Sequence, residues 1–294
     1  MKIGKADKVK VYVLADDYAG YNSVFWSQHG VSFLVEVVFE GIKRRILFDT
    51  ASYAEPILHN MKLLKIDPKT IDMIVLSHSH FDHTGGLLGI MKEVNKETPI
   101  FAHPSIFKVS FAAEPEFIYA GSPPRRGGTK DQIERLGGIW VLSRDPIRLT
   151  PGTFTLGEIE KEEKTDFEKK ATTGLYKLEE GKVVPDEVED EIGLGIITEK
   201  GLTVITGCSH PGIVSMAQKA VKISGVNKVH AVIGGLHLIN ASDKRIQTTA
   251  KTLKSIGVEK IYAGHCTGLK AETALLKEFK ENFEKLHSGK IINI

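Results

Sequence analysis

The chain has 294 residues, of which 41% are hydrophobic and 26% are charged, a composition typical of a folded globular protein. The 39 basic and 37 acidic residues leave a formal charge of only +2, which excludes a strongly basic surface for nucleic acid or membranes over the whole molecule. Having only two cysteines excludes a disulfide framework, so we expect a cytoplasmic protein. The longest uncharged runs, 18–35 and 201–218, contain Ser, Gln, His and Gly, so we expect no membrane span. Abundant Lys and Glu with little Gln favour a thermophilic source.

Apolar, β-branched segments between turn signals predict strands along the whole chain. In chain order the predicted strands are 9–15, 32–39, 45–48, 71–77, 100–102, 139–142, 193–198, 202–206, 228–233 and 260–263. Apolar residues at helical spacing predict helices at 54–64, 86–94, 213–223, 244–256 and 269–286. Ser242 suits the N-cap of the fourth helix, and Gly257 suits its end.

Strands and helices alternate in both halves of the chain, and this order predicts the fold class. Each half opens with antiparallel strands and continues into βα units, which predicts an α/β protein with four α-β-β-α layers around two mixed sheets. We expect one domain over residues 1–294. The less regular stretch 104–190 is interpreted as a long insertion, either a lid or solvated loops.

The segment LSHSHFDHTGG at 76–86 carries the strongest functional signal. It places His78, His80, Asp82 and His83 within six residues, directly after a predicted buried strand. In extended backbone the rings of His78 and His80 face the same side, because side chains alternate along a strand. Imidazoles and a carboxylate suit a borderline ion such as Zn²⁺, and burying them without a cation is costly. We therefore predict a metal site and not a solvated His-rich turn.

This H-x-H-x-D-H motif with two glycines beyond it resembles the metallo-β-lactamase superfamily. Further resemblance lies in HGVSFLVEV (29–37), ILFDTA (46–51), TGCSHPG (206–212), GGLHL (234–238) and GHCTG (264–268). The resemblance implies two metal positions, one held by His78, His80 and His210 and the other by Asp82, His83 and His265. It implies one or two divalent ions, with zinc favoured and manganese or iron as alternatives.

Cys208 departs from the common superfamily pattern, in which most two-metal members have a bridging aspartate. The cysteine is either a thiolate ligand or a small buried packing residue. Without an aspartate at this point, the second position is expected to be weaker or empty, unless Asp190 or Glu191 substitutes. Alternatively, these two acids belong to a charged loop.

Other candidate residues have weaker signals. Asp82 and His237 are candidate catalytic residues. His237 is expected to bind substrate phosphate, transfer a proton or replace a ligand, unless it is a hydrogen-bonded core histidine. Asp49 is expected to orient a ligand histidine or a backbone group, or to be a turn residue at a strand end. Arg125 and Arg126 are candidate phosphate-binding residues, although an exposed basic loop is the simpler interpretation.

The remaining histidines and the first aromatic loop carry little signal. The histidines without partner spacing are expected to be structural: His29, His59, His103, His230 and His287. The aromatic residues after the first strand are a possible pterin pocket or a small satellite core: Tyr18, Tyr21, Phe25 and Trp26.

The resemblance is strongest to a superfamily branch that contains metal-dependent hydrolases and synthases of a pterin coenzyme precursor. It implies an enzyme that acts on a small phosphate- or diphosphate-bearing substrate. The favoured reaction condenses a dihydropterin diphosphate with an aminobenzene ribotide and releases diphosphate. The alternatives are a metallo-hydrolase of phosphate esters and a metal-binding redox protein.

Overall fold

The structure is a computed structural model that describes residues 3–112, 117–121, 127–169 and 174–294. The strands are β1 (Lys8–Ala15), β2 (Ser32–Phe39), β3 (Ile42–Phe48), β4 (Met73–Val75), β5 (Thr98–Ala102), β6 (Ser110–Ala112), β7 (Ile118–Tyr119), β8 (Gly138–Leu142), β9 (Arg148–Thr150), β10 (Thr153–Thr155), β11 (Leu175–Glu179), β12 (Lys182–Pro185), β13 (Leu194–Thr198), β14 (Gly201–Thr206), β15 (Val229–Gly235), β16 (Lys260–Gly264), β17 (Phe283–Lys285) and β18 (Ile291–Asn293). The helices are α1 (Ala54–Leu63), α2 (Phe81–Thr84), α3 (Leu87–Val94), α4 (Lys130–Arg135), α5 (Ile213–Ser224), α6 (Asp243–Ser255) and α7 (Leu269–Phe279).

Two seven-stranded mixed sheets form the centre of the molecule, in the orders β18-β1-β2-β3-β4-β5-β8 and β17-β16-β15-β14-β13-β10-β9. In the first sheet β1, β2 and β3 are antiparallel, and β3, β4, β5 and β8 run parallel. In the second sheet β14, β15, β16 and β17 run parallel. The β2–β3 hairpin turns at Glu40 and Gly41, both with positive φ, which matches the twist of the paired strands.

Three apolar clusters separate the layers. The facing sides of the two sheets bury one cluster, which includes Phe33, Ile46 and Ile205. Helices α1 and α3 cover the outer face of the first sheet around Leu47 and Ile90. Helices α5, α6 and α7 cover the outer face of the second sheet. Because each sheet is apolar on both faces, it needs a cover on both sides, and the predicted α-β-β-α class is confirmed.

Helix ends follow local chemistry where the sequence carries a cap. Ser242 is the N-cap of α6, and its hydroxyl accepts from the amide of Arg245 at 3.3 Å. Gly257 has a φ of +84°, which confirms it as the residue that ends this segment. The helix predicted over 269–286 is wrong beyond Phe279, because Lys280 takes a left-handed conformation with φ of 53° and β17 then pairs with β16.

The stretch 104–190 is not one continuous insertion in the described residues. Strand β8 completes the edge of the first sheet, and β9 and β10 complete the edge of the second. The strands β12, β11, β6 and β7 form a separate four-stranded sheet. Only this third sheet remains a candidate lid. No helix in the described ranges is long and apolar enough to span a membrane.

Candidate metal centre

The predicted ligands lie where strands of the two sheets end. His78 and His80 follow β4, and α2 carries Asp82 and His83 one turn later. From the second sheet, Cys208 and His210 follow β14, and His265 follows β16. The six predicted ligands and Cys208 are all buried. Their donor atoms form two groups, in each of which all atoms lie within 4.8 Å of one another.

The first cluster consists of His78, His80 and His210. His78 Nε2 lies 3.0 Å from His80 Nδ1, and the ring of His210 is centred 4.9 Å from each of the other two rings. Burial lowers the pKa of His80 to about 4. Burial and the neighbouring imidazoles also hold the pKa of His78 and of His210 well below the usual range. These rings are therefore neutral at pH 7 and offer bare nitrogen atoms.

The second cluster consists of Asp82, His83, Cys208 and His265. Cys208 Sγ lies 3.2 Å from His83 Nε2 and 3.3 Å from His265 Nε2, and Asp82 Oδ2 lies 3.3 Å from His265 Nε2. Although burial opposes it, the carboxylates of Asp82 and Asp49 raise the pKa of His83 to about 10. Burial raises the pKa of the Cys208 thiol well above its usual range. Without a cation, the raised pKa values of this cluster favour the protonated forms of His83 and of the Cys208 thiol.

Asp49 lies behind both clusters. Its Oδ1 accepts from the amide of Ser77 at 2.6 Å, and its Oδ2 accepts from the hydroxyl of Ser77 and from His83 Nδ1, each at 2.7 Å. The Ser77 hydroxyl in turn lies 2.9 Å from His78 Nδ1. These contacts fix His78 in the first cluster and His83 in the second, each through its Nδ1 atom. The Nε2 atom of His83 therefore faces the other donors of its cluster.

Asp190 and Glu191 support the backbone of the ligand loops. Glu191 accepts from the amides of Cys208 at 2.8 Å, Ser209 at 2.6 Å and His210 at 2.5 Å. Asp190 accepts from the amide of Ser79, between the first two histidines, at 2.8 Å. Both carboxylates are fully buried, and their oxygens face amides and a lysine ammonium, not the ligand clusters.

Two supporting residues were missed by sequence reasoning. Asp17 Oδ2 lies 3.1 Å from His265 Nδ1, so Asp17 orients the last ligand. Its signal was its position two residues after the end of β1, close to the strand-end position that Asp49 takes directly after β3. Lys108 Nζ pairs with Asp190 at 2.6 Å and with Asp186 at 2.7 Å. Lys108 thus contacts the ligand loops through Asp190, and no pattern in the sequence indicates this buried ion pair.

His237 and Cys266 lie next to the first cluster. The ring of His237 is centred 4.1 Å from that of His210, in a residue with φ of 46°. The backbone amide of His237 donates to Cys266 Sγ at 3.3 Å, and its Nδ1 is buried without a hydrogen-bond partner among the described residues. His237 thus lies beside the predicted ligands, and its donor atom lies within 4.8 Å of those of Cys208 and His210.

The other candidates lie elsewhere or outside the described residues. His103 pairs with Glu158 at 3.2 Å and His230 with Glu259 at 2.9 Å, so their polar contacts are with acids outside both clusters. Arg125 and Arg126 lie outside the described residues. In the aromatic loop, Tyr18 is 44% exposed and Tyr21 is 97% exposed, so the two tyrosines do not form a buried core.

Comparison with known proteins gives consistent matches over almost the whole chain. The sequence profile of the metallo-β-lactamase superfamily matches residues 28–265. The chain is 70% identical to 7,8-dihydropterin-6-methyl-4-(β-D-ribofuranosyl)-aminobenzene-5′-phosphate synthase of Methanocaldococcus jannaschii, over 99% of both chains. This archaeal relative fits the thermophilic source that the composition favours.

Solved structures show the same fold. A metal-dependent hydrolase of the β-lactamase superfamily superposes with a TM-score of 0.79 at 27% identity, covering 97% of this chain and 99% of its own. A diphosphatase of the PhnP family superposes with a TM-score of 0.53 at 13% identity, covering 98% of this chain and 97% of its own.

Proposed function

The chain belongs to the metallo-β-lactamase superfamily, and from this premise we propose that it condenses a dihydropterin-methyl diphosphate with an aminobenzene ribotide. The observation that carries the proposal is the 70% identity, over 99% of both chains, to a synthase whose name describes the product of this reaction. A C–N bond forms between the pterin methylene carbon and the amine nitrogen. The C–O bond to diphosphate breaks, diphosphate leaves with the electron pair, and the amine loses a proton.

The two clusters fit a pair of divalent ions. His80 Nε2 is buried without a hydrogen-bond partner among the described residues, which is costly unless a cation binds it. His78, His80 and His210 would hold one ion, and Asp82, His83, Cys208 and His265 the other. Three imidazoles in one set and a thiol in the other favour zinc over magnesium or calcium. Bound there, divalent ions would supply Lewis-acid stabilisation of the negative charge on the departing diphosphate.

The protein side chains supply positioning. Asp49 and Asp17 hold the Nδ1 edges of His83 and His265, so both rings present Nε2 to the centre. Glu191 holds three successive amides and thereby places Cys208 and His210 together. Such support keeps the donors in place before substrate arrives, which avoids reorganisation during the reaction.

We place His237 on the substrate side of the first cluster. Its ring lies beside His210 and carries a buried Nδ1 that has no partner in the described part of the chain. A phosphate oxygen of the substrate would satisfy this nitrogen. Asp82 is assigned the role of ligand and carboxylate partner of His83 and His265. Three further statements stay predictions. They are a phosphate contact from Arg125 and Arg126, closure of the third sheet over the substrate, and a cytoplasmic location without nucleic-acid partners.

The proposal is tested by a product assay with zinc-loaded protein. Mass spectrometry would follow the dihydropterin diphosphate with and without the aminobenzene ribotide, and the His83→Ala variant would serve as the control. We expect a condensed product and free diphosphate only when both substrates and the wild-type protein are present. Hydroxymethyl-dihydropterin or dephosphorylated ribotide formed by the wild type alone would overturn the synthase proposal in favour of a phosphate-ester hydrolase.

A further inference from the structure

His29, which sequence reasoning treated as structural, lies at the exposed edge of the second cluster. Its side chain is 59% exposed, and its Nε2 lies 3.4 Å from Asp82 Oδ2. Its ring is centred 5.1 Å from that of His265 and 6.0 Å from that of Phe81. The imidazole of His29 is therefore open to solvent on one side, while its Nε2 atom faces the buried centre on the other side.

Asp17 holds His29 and His265 with one carboxylate. Its Oδ1 lies 3.2 Å from His29 Nδ1, and its Oδ2 lies 3.1 Å from His265 Nδ1. The Oδ1 atom also accepts from the amide of Gly30 at 3.0 Å. The same side chain that orients a ligand thus fixes the direction of His29 relative to that ligand.

The loop that carries His29 is built to approach the centre closely. Gly30 has a φ of +107°, and a Cβ atom there would lie 1.9 Å from the carbonyl oxygen of Asp82. Only glycine permits this contact. On the other side, the hydroxyl of Ser52 donates to the carbonyl of His29 at 2.6 Å. The exposed imidazole is therefore held by its backbone as well as by Asp17.

The donor atoms of Asp17, His29 and His265 also lie within 4.8 Å of one another, but His265 already belongs to the second cluster. Asp82, His83, Cys208 and His265 already provide the four donors of a complete tetrahedral zinc set. Nδ1 of His29 faces Asp17 Oδ1 and Nε2 faces Asp82 Oδ2, and carboxylate oxygens only accept hydrogen bonds. Once Asp82 binds a cation, an anionic oxygen arriving from solvent can take its place as the acceptor for Nε2–H.

We propose that His29 is a substrate-binding residue that donates from Nε2 to a phosphate oxygen of the diphosphate group. The identity of that anion rests on the proposed function, whereas the anion-binding role rests on the geometry of Asp17, His29 and Asp82. A charge-assisted hydrogen bond of this kind contributes about 1.5–3 kcal/mol, which corresponds to roughly 10- to 100-fold in affinity.

The test measures inorganic diphosphate binding to zinc-loaded protein by calorimetry, together with zinc content. We expect His29→Ala to keep both zinc ions but to weaken diphosphate binding about tenfold or more. His29→Gln, whose amide can still donate, should recover part of this loss. The matched control is His59→Ala, which removes an imidazole that stacks on Trp26 at 4.0 Å, and it should bind diphosphate as the wild type does.

Three outcomes would overturn the inference: a wild type that does not bind diphosphate, unchanged affinity in both His29 variants, or loss of one zinc ion from His29→Ala. The last would make His29 a metal ligand. Since the measurement uses neither pterin nor ribotide, its result is independent of the product assay. A wild type that forms no condensed product, with weakened diphosphate binding in His29→Ala, would refute the synthase and leave the role of His29 intact.

Discussion

The two ligand clusters are neighbours, yet their surroundings shift the pKa values of their histidines in opposite directions. In the first cluster three imidazoles surround one another, and burial with mutual repulsion keeps them neutral. In the second cluster the carboxylates of Asp82 and Asp49 raise the pKa of His83, and the sulfur of Cys266 together with the carboxylates of Asp17 and Asp82 raises the pKa of His265. The comparison shows that the first cluster is prepared for a cation at neutral pH, whereas the second must release protons to accept one.

The largest expected effect comes from removing one ligand of either cluster. We expect His210→Ala and His83→Ala each to lose one ion and to lower the condensation rate roughly 10³-fold or more, because each ion contributes several kcal/mol of charge stabilisation. Zinc analysis and the product assay measure this. His230→Ala is the control, since His230 pairs with Glu259 outside the clusters. Retention of two ions in both ligand variants would contradict the ligand assignment.

A smaller effect is expected from the carboxylates that support only one cluster. Asp190→Asn removes the charged acceptor of the Ser79 amide beside the first cluster, and Asp17→Asn removes the charged partner of His265 in the second. We expect roughly 10- to 100-fold weaker metal binding at the matching position only. Competition with a chelator, followed position by position with cobalt-substituted protein, tests this. If either variant weakened metal binding equally at both positions, the two carboxylates would not support separate clusters.

The pH dependence of metal binding sharpens the comparison. With a pKa of about 4, His80 has lost its proton well below neutral pH, so affinity at the first position should be nearly flat between pH 6 and 8. With a pKa of about 10, His83 must release a proton, so affinity at the second position should rise about tenfold per pH unit for each proton displaced.

Calorimetry in buffers of different ionisation enthalpy would count the released protons for each ion. We expect no proton from the first cluster and at least one from the second. Parallel pH profiles at the two positions would show that the opposite charge states of the clusters have no influence on metal uptake.

The smallest expected effect concerns the choice of metal at the second position. Cys208→Ser replaces a soft donor with a hard one, and we expect cadmium affinity to fall by about tenfold more than zinc affinity. The thiolate-to-metal absorption of cobalt-substituted protein should disappear as well. Cys266→Ser, which changes a thiol outside the second cluster, should keep this band. A persistent band in Cys208→Ser would make Cys208 a packing residue.

Sequence reasoning predicted ten of the described strands and five of the described helices, because their apolar periodicity and caps are local signals, but it missed the short strands β6, β7, β9 to β12, β17 and β18. It was wrong beyond Phe279, where α7 ends and β17 pairs with β16, because pairing at a sheet edge outweighs a helical pattern. It also treated His29 as structural, since no neighbour in the sequence suggests a partner. Asp17 lies 12 residues before it, and Asp82 lies in α2, far from it in the sequence.

The sequence by itself determined the superfamily and the fold class, because the motif at 76–86 and the alternation of strands and helices are local patterns. It also indicated which histidines and carboxylates come together in the two clusters. Only the tertiary structure decided how Cys208, Glu191, Asp17 and His29 relate to the centre. Their roles depend on distances between the ends of strands from two sheets, and the direction of a buried carboxylate is set by the amides and rings that surround it.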